Sequence, residues 1–296
     1  IIKEKRSIVI IKFSLPGYLL KYNLNMVLVD LYTSGRDKFY DDIEIDSFFD
    51  SFPCIWNGGR VTEGFTNVAN IRATVAPYND LGIGLRHTFT NSFITKESLS
   101  DQLSNMICKL TENSLNGVNC NSDLLAKYIK ENYPQFYLIW STTLGITDID
   151  KINELSQDRL LVLDYNLNNN FEALSKIKNP YNIEILVGES CIDHCHNRKN
   201  HYIAISKQQG YISSEGFECP NNCDGNWDYY NYVIKRDHYI SIDDIREKYV
   251  PLGFTQFKIS GRKDSDINNI ERYVNYLVKP EYKDEIRNRM LLALFG

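Results

Sequence analysis

Short apolar runs of four to eight residues alternate along this chain with longer stretches in which apolar positions recur three and four apart. The first run covers residues 7–14 and is closed by Pro16 and Gly17, and residues 19–31 follow with helical spacing. The same alternation predicts further strands over 43–49, 83–89, 117–120, 136–140, 160–164, 183–187 and 254–259. Helices are expected over 63–75, from a cap at Thr95 to about 115, then over 123–132 behind Ser122, 148–157, 171–177, 242–249 and from 267 onward. A strand followed by a helix, about eight times over, is the pattern of an α/β fold with parallel strands. Eight such units close into a ring. The predicted fold is therefore a single TIM-like (β/α)8 barrel over residues 1–296, with an excursion after the seventh strand at about 188–240.

That fold dictates where chemistry belongs, because TIM barrels build their sites at the carboxyl ends of the strands. Asn57, Arg60, Arg86, Asn91, Ser141, Asp164, Lys258 and Arg262 all fall at or near predicted strand ends and are expected around one mouth. Gly58 and Gly59 allow a tight turn just before Arg60. Arg60, Arg86, Lys258 and Arg262 would bring four positive charges to that mouth, of which Asp164 and Glu189 can offset only two. The candidate catalytic set is thus Arg60, Arg86, Asp164, Lys258 and Arg262, and its charge points to an anionic ligand. Arg262→Ala is expected to weaken such a ligand about tenfold and to leave the fold intact.

The excursion carries the second kind of chemistry. Cys191 and Cys195 form one Cys-x3-Cys pair, and Cys219 and Cys223 form another. Four converging thiolates make a sulfur cage that suits Zn²⁺ or an iron–sulfur cluster, and the spacing does not choose between them. Disulfides would require an oxidising compartment, whereas no secretory pattern is visible and the seven cysteines are odd in number. Cys54, Cys108 and Cys120 stand apart and read as small apolar residues. His194, His196 and His201 crowd the same loop as possible neighbours of the metal.

Composition narrows the class further. A net charge of −5 argues against a broadly nucleic-acid-binding surface but leaves room for a local basic groove. No apolar run is long enough to span a membrane, and the expected location is the cytoplasm. Twenty tyrosines with many asparagines, isoleucines and lysines suggest an AT-rich coding source such as a low-GC bacterium or its phage. Gly-x-Ser-x-Gly, His-Glu-x-x-His, P-loop and dinucleotide glycine motifs do not occur.

Several of these segments resemble, in order, those of the collagenase-like peptidase family U32. The resemblance lies in Asn119-Cys120-Asn121-Ser122-Asp123, in Trp140-Ser141-Thr142-Thr143, in the strand before Cys191, and in Phe257-Lys258-Ile259-Ser260-Gly261-Arg262. The last is similar to the family's lysine-isoleucine-x-glycine-arginine motif at its closing strand. The resemblance implies a TIM-like barrel in which Cys191, Cys195, Cys219 and Cys223 bind a 4Fe-4S cluster at the mouth. It also implies either peptidase activity or oxygen-independent hydroxylation of tRNA, ribosomal RNA or the ubiquinone ring, some members using prephenate as oxygen donor. Here Ile192-Asp193-His194 replaces the Ser-Gly step that usually precedes the family's second cysteine. The expected function is an iron–sulfur-dependent redox or hydroxylation enzyme acting on an anionic small molecule or RNA. A zinc-stabilised binding or scaffold barrel and a U32-type peptidase are the alternatives.

Overall fold

The computed structural model describes residues 8–59, 66–220 and 228–296. Eight parallel strands form a closed barrel in sequential order: β1 (Ile11–Pro16), β2 (Ile43–Asp50), β3 (Gly84–Phe89), β4 (Gly117–Cys120), β5 (Tyr137–Trp140), β6 (Leu160–Val162), β7 (Ile183–Val187) and β8 (Gln256–Ile259). β8 closes on β1 with Phe13 opposite Phe257 and Ser14 opposite Lys258. Helices α1 (Tyr22–Ser34), α2 (Val68–Asp80), α3 (Gln102–Thr111), α4 (Asp123–Asn132), α5 (Ile149–Leu155) and α6 (Phe171–Leu174) connect the first seven strands. α7 (Arg198–Gln209) and α8 (Ile242–Asp244) lie between β7 and β8, and α9 (Asp266–Leu277) and α10 (Lys283–Phe295) follow β8. Among the described residues no helix is long and apolar enough to cross a membrane.

Local chemistry explains most boundaries. Ser122 caps α4 by accepting from the Leu125 amide, and Ser241 and Asp244 form a reciprocal capping box at α8. The cap expected at Thr95 serves only a short turn over Glu97–Ser100, and α3 begins later, where Asp101 accepts from the Ser104 amide at 2.7 Å. The stretch 242–249 starts as α8 and continues as a wider π turn over Ile245–Tyr249. α7 has no counterpart in the hydrophobic pattern, because its sequence alternates charged and polar residues with few apolar ones.

One apolar layer lies between strands and helices, with Phe13, Leu15, Phe48, Leu85, Ile185 and Phe257 all fully buried. Each such side chain contributes roughly 1.5–3 kcal/mol on burial. The ring's interior is different, because it is charged. Arg86 on β3 reaches across to Glu184 on β7, donating to its Oε1 at 2.5 Å, and also donates to Asp46 at 2.7 Å and to the Tyr137 hydroxyl at 3.1 Å. Ser14 donates to the same Glu184 oxygen at 2.9 Å. Burial opposes charge on Arg86, but Glu184, Tyr137 and Asp46 together hold its guanidinium above the ordinary arginine value.

Candidate functional site

Above this ion cluster the strand ends open into a cleft with an empty volume of about 880 Å³, counting its part open to solvent. Thr88 and Asn119 on adjacent strands, Ser141 after β5, Leu186 on β7 and Lys258 on β8 line it, together with the loops that begin at Glu189 and Ser260. Its charged lining is Arg198, Lys258, Arg262 and Lys263 against Glu189 and Asp264. The mouth of this acidic protein therefore carries more positive than negative side chains among the described residues.

Arg262 enters from the loop after β8, and its Nη1 donates to Asp50 at 3.0 Å and to the Thr88 hydroxyl at 3.1 Å. A Cβ on Gly58 would lie 2.2 Å from the Thr90 carbonyl oxygen, so Gly58 tolerates no side chain, and one on Gly59 would push against the Arg262 guanidinium. Gly261 has a φ of 132° and a Cβ on it would meet Asn269 Oδ1 at 2.2 Å, so the glycine of the closing motif is required twice over. Lys258 is almost fully buried, with its Nζ 3.6 Å from the centroid of the Phe49 ring. Burial, with Arg86 and Arg262 adding to it, pushes the lysine down to about 7 against the pull of Glu184.

Two other expected residues lie elsewhere. Arg86 does not line the mouth: it is the third residue of a six-residue strand, so its side chain meets Glu184 and Asp46 inside the ring. Asp164 does not line it either, and accepts from the Asn166 amide at 2.9 Å to cap the turn after β6. Arg60 lies outside the described residues. Asn57 and Asn91 are buried beneath the rim, where Asn57 accepts from the Gly59 amide and Asn91 donates to the Ile55 and Ser206 carbonyls.

Cys191, Cys195 and Cys219 line one small pocket together with Asn197, Arg198, His201 and Phe217. Cys191 and Arg198 also line the barrel mouth, so the two sites share a wall. The fourth expected ligand, Cys223, lies outside the described residues. Among the described residues no three His, Cys, Asp or Glu side chains are gathered closely enough to hold an ion. The donor chemistry nonetheless fits a thiolate-bound group: three cysteine side chains line one pocket beside the first turn of α7, and a helix start favours negative charge. His201 stacks on Phe217, with ring centroids 4.7 Å apart. His194 adopts a positive φ of 50°, and its amide donates to Asn166. Burial pushes the Cys54 and Cys120 thiols up to about 11 and 12 and raises Cys108 as well, which keeps all three protonated and inert.

The cysteine loop is anchored by a residue that the sequence pattern did not single out. Arg272, fully buried in α9, donates to the Gly188 carbonyl at 3.0 Å and to Ser190 Oγ at 2.8 Å, and is paired with Asp264. Ser190 in turn donates to Asp264 at 2.7 Å, so one arginine ties the loop after β7 to the loop after β8. Its signal was an arginine between Ile270 and Tyr273 on the inward stripe of an amphipathic helix. On the other side, His238 bonds to Asp193 through Nδ1 at 2.5 Å and packs edge-on against Tyr165.

The architecture thus defines a TIM-like barrel with a cationic mouth and a cysteine-lined pocket at its rim. No protein-family model and no curated protein matches the sequence. The fold is similar to that of the solved structure of the U32 peptidase Mk0906, with a TM-score of 0.53 and 14% sequence identity, over 87% of this chain and 96% of that one. At that identity the likeness is one of fold, and it agrees with the remote U32 resemblance of the sequence segments.

Proposed function

We propose that the protein is an iron–sulfur-dependent enzyme of redox or oxygen-independent hydroxylation type, acting on an anionic small molecule or an RNA-linked substrate. The observation that carries this reading is the shared wall: the pocket lined by Cys191, Cys195 and Cys219 borders the cationic barrel mouth through Cys191 and Arg198. Cys191, Cys195, Cys219 and Cys223 would hold the cluster, which supplies one-electron transfer when bound. Arg198, Arg262 and Lys263 attract the substrate's negative charge, and the Thr88 and Ser141 hydroxyls orient its polar groups. Arg272 fixes the loop that presents Cys191. Such thiolates persist in a reducing cytoplasm, where we place the protein.

The same four sulfurs suit zinc, and the tight anchoring of the loop by Arg272 favours a structural metal as the second reading. Peptidase activity, the activity in the structural neighbour's name, is a third; a mouth rich in cations supports an anionic ligand over a neutral peptide. Anaerobic purification followed by iron, sulfide and zinc quantification tests the proposal. About four irons and four sulfides per chain support it, and stoichiometric zinc without iron sinks it.

A further inference from the structure

Two buried side chains on the floor of the mouth have polar atoms without a partner. Neither amide atom of Asn119 makes a hydrogen bond, although the residue is only 2% exposed. Lys258 is 7% exposed and has no hydrogen bond or ion pair with any described residue; its amine faces the Phe49 ring. Buried polar groups are nearly always satisfied, and exceptions lining a cleft mark the place of a ligand. We propose that Lys258 is a nucleophilic amine that forms an imine with an anionic oxo compound of the α-oxo acid class, with Asn119 hydrogen-bonded to that compound's oxygen atoms. This inference rests on the anionic-ligand reading of the mouth and is independent of the metal.

The surroundings activate an amine in the two ways known for lysine nucleophiles, removal from water and nearby positive charge. Phe49 and Leu186 supply apolar walls, while Arg86 from β3 and Arg262 from the β8 loop disfavour the ammonium. Glu184 on β7 is the opposing acid, with Oε1 engaged by Arg86 and Ser14 and Oε2 without a partner, while Glu189 accepts from the Cys191 amide and Asp264 pairs with Arg272 of α9. The result is a value of about 7, so a substantial share of the amine is neutral at neutral pH. In the reaction the Nζ lone pair attacks the carbonyl carbon, the C=O π pair moves to oxygen, and oxygen takes a proton from nitrogen. Loss of water from this carbinolamine leaves the C=N bond. No oxidant or reductant is consumed. Arg262, Arg198 and Lys263 select the carboxylate of the same molecule.

The test is borohydride trapping of the full chain with glyoxylate, pyruvate and 2-oxoglutarate, followed by mass spectrometry of its peptides. The expected result is an adduct on Lys258 with at least one of the three, formed at least tenfold faster than on any other lysine and lost in Lys258→Met. Asn119→Leu should slow trapping at least tenfold. Labelling no faster on Lys258 than elsewhere, or no labelling at all, overturns the imine. A parallel calorimetric titration of unreduced wild type with the same oxo acids and with lactate separates the two readings. Binding of these anions without trapping removes the imine and leaves the anionic mouth, whereas absence of both removes both. The wild-type labelling pattern decides the matter even if Lys258→Met does not fold.

Discussion

Arg262 Nη1 lies 3.0 Å from Asp50 Oδ1, joining the loop after β8 to the end of β2 across the rim of the barrel. Asp50 is fully buried and also accepts from the Leu19, Leu20 and Ser51 amides. The arginine is therefore part of the scaffold as well as of the lining, which corrects the expectation that its removal leaves the fold untouched. Arg262→Ala should destabilise the protein by about 3 kcal/mol, the low end for breaking a buried pair, because three amides still hold the carboxylate. Urea denaturation measures this, and a change below about 0.5 kcal/mol would contradict the buried pairing. Arg262→Ala should still weaken a carboxylate ligand about tenfold in calorimetry under conditions where it remains folded.

Arg86 leads to a different expectation. Enclosed by Glu184, Asp46 and Tyr137, it neutralises Glu184 and shares Asp46 with Lys12, whose Nζ lies 3.5 Å from Asp46 Oδ1. Arg86→Met should cost about 3–5 kcal/mol of stability, and Arg86→Met with Glu184→Leu should recover part of that loss. If the double variant proves less stable than the single one in urea, the two residues are not coupled as described.

What the sequence specifies depends on where each residue's partners lie along the chain. The barrel order, β4, β7 and α4 were visible because their boundaries are set by neighbours in sequence: alternating apolar runs, and a serine cap at Ser122. The positions of Arg86 and Asp164 depend on how far along, or beyond, its strand each residue sits, which apolar periodicity does not specify. Arg86 bonds to a residue 98 positions away. The cysteine pairs were recognisable from spacing, but Arg272, Asn119 and α7 were not, since a buried arginine anchor, an unsatisfied amide and a polar helix show themselves only in the folded chain.

The lysine makes a prediction about pH. Its folded value of about 7 lies below the ordinary lysine value of 10.5, so between these pH values the unfolded chain holds a proton that the folded chain has released. Stability must then rise with pH across that window, by up to about 1.4 kcal/mol per pH unit, with the full penalty of the buried ammonium present below pH 7. From pH 7 to 10 the urea midpoint of wild type should rise relative to that of Lys258→Met. Parallel curves would mean that Lys258 is solvated in the folded state.

Among the cysteines, the two groups should respond in opposite ways. Cys120→Ser puts a hydroxyl into an apolar site and should lower stability by about 1 kcal/mol while leaving metal content unchanged. Cys219→Ser should do the reverse, losing most of the metal because three thiolates leave an open, labile position. Elemental analysis of both variants, purified side by side, checks the assignment, and retention of metal by Cys219→Ser with loss from Cys120→Ser would reverse it.

The proposed iron–sulfur cluster would sit in the pocket bordering the mouth. Its most direct test is the iron, sulfide and zinc content of anaerobically purified wild type, measured beside Cys191→Ser and accompanied by the absorbance spectrum. About four irons and four sulfides per chain are expected in wild type, with a broad band near 400 nm as thiolate-ligated clusters show, and the loss of both in the variant. Stoichiometric zinc without iron, or equal iron in wild type and variant, would contradict it.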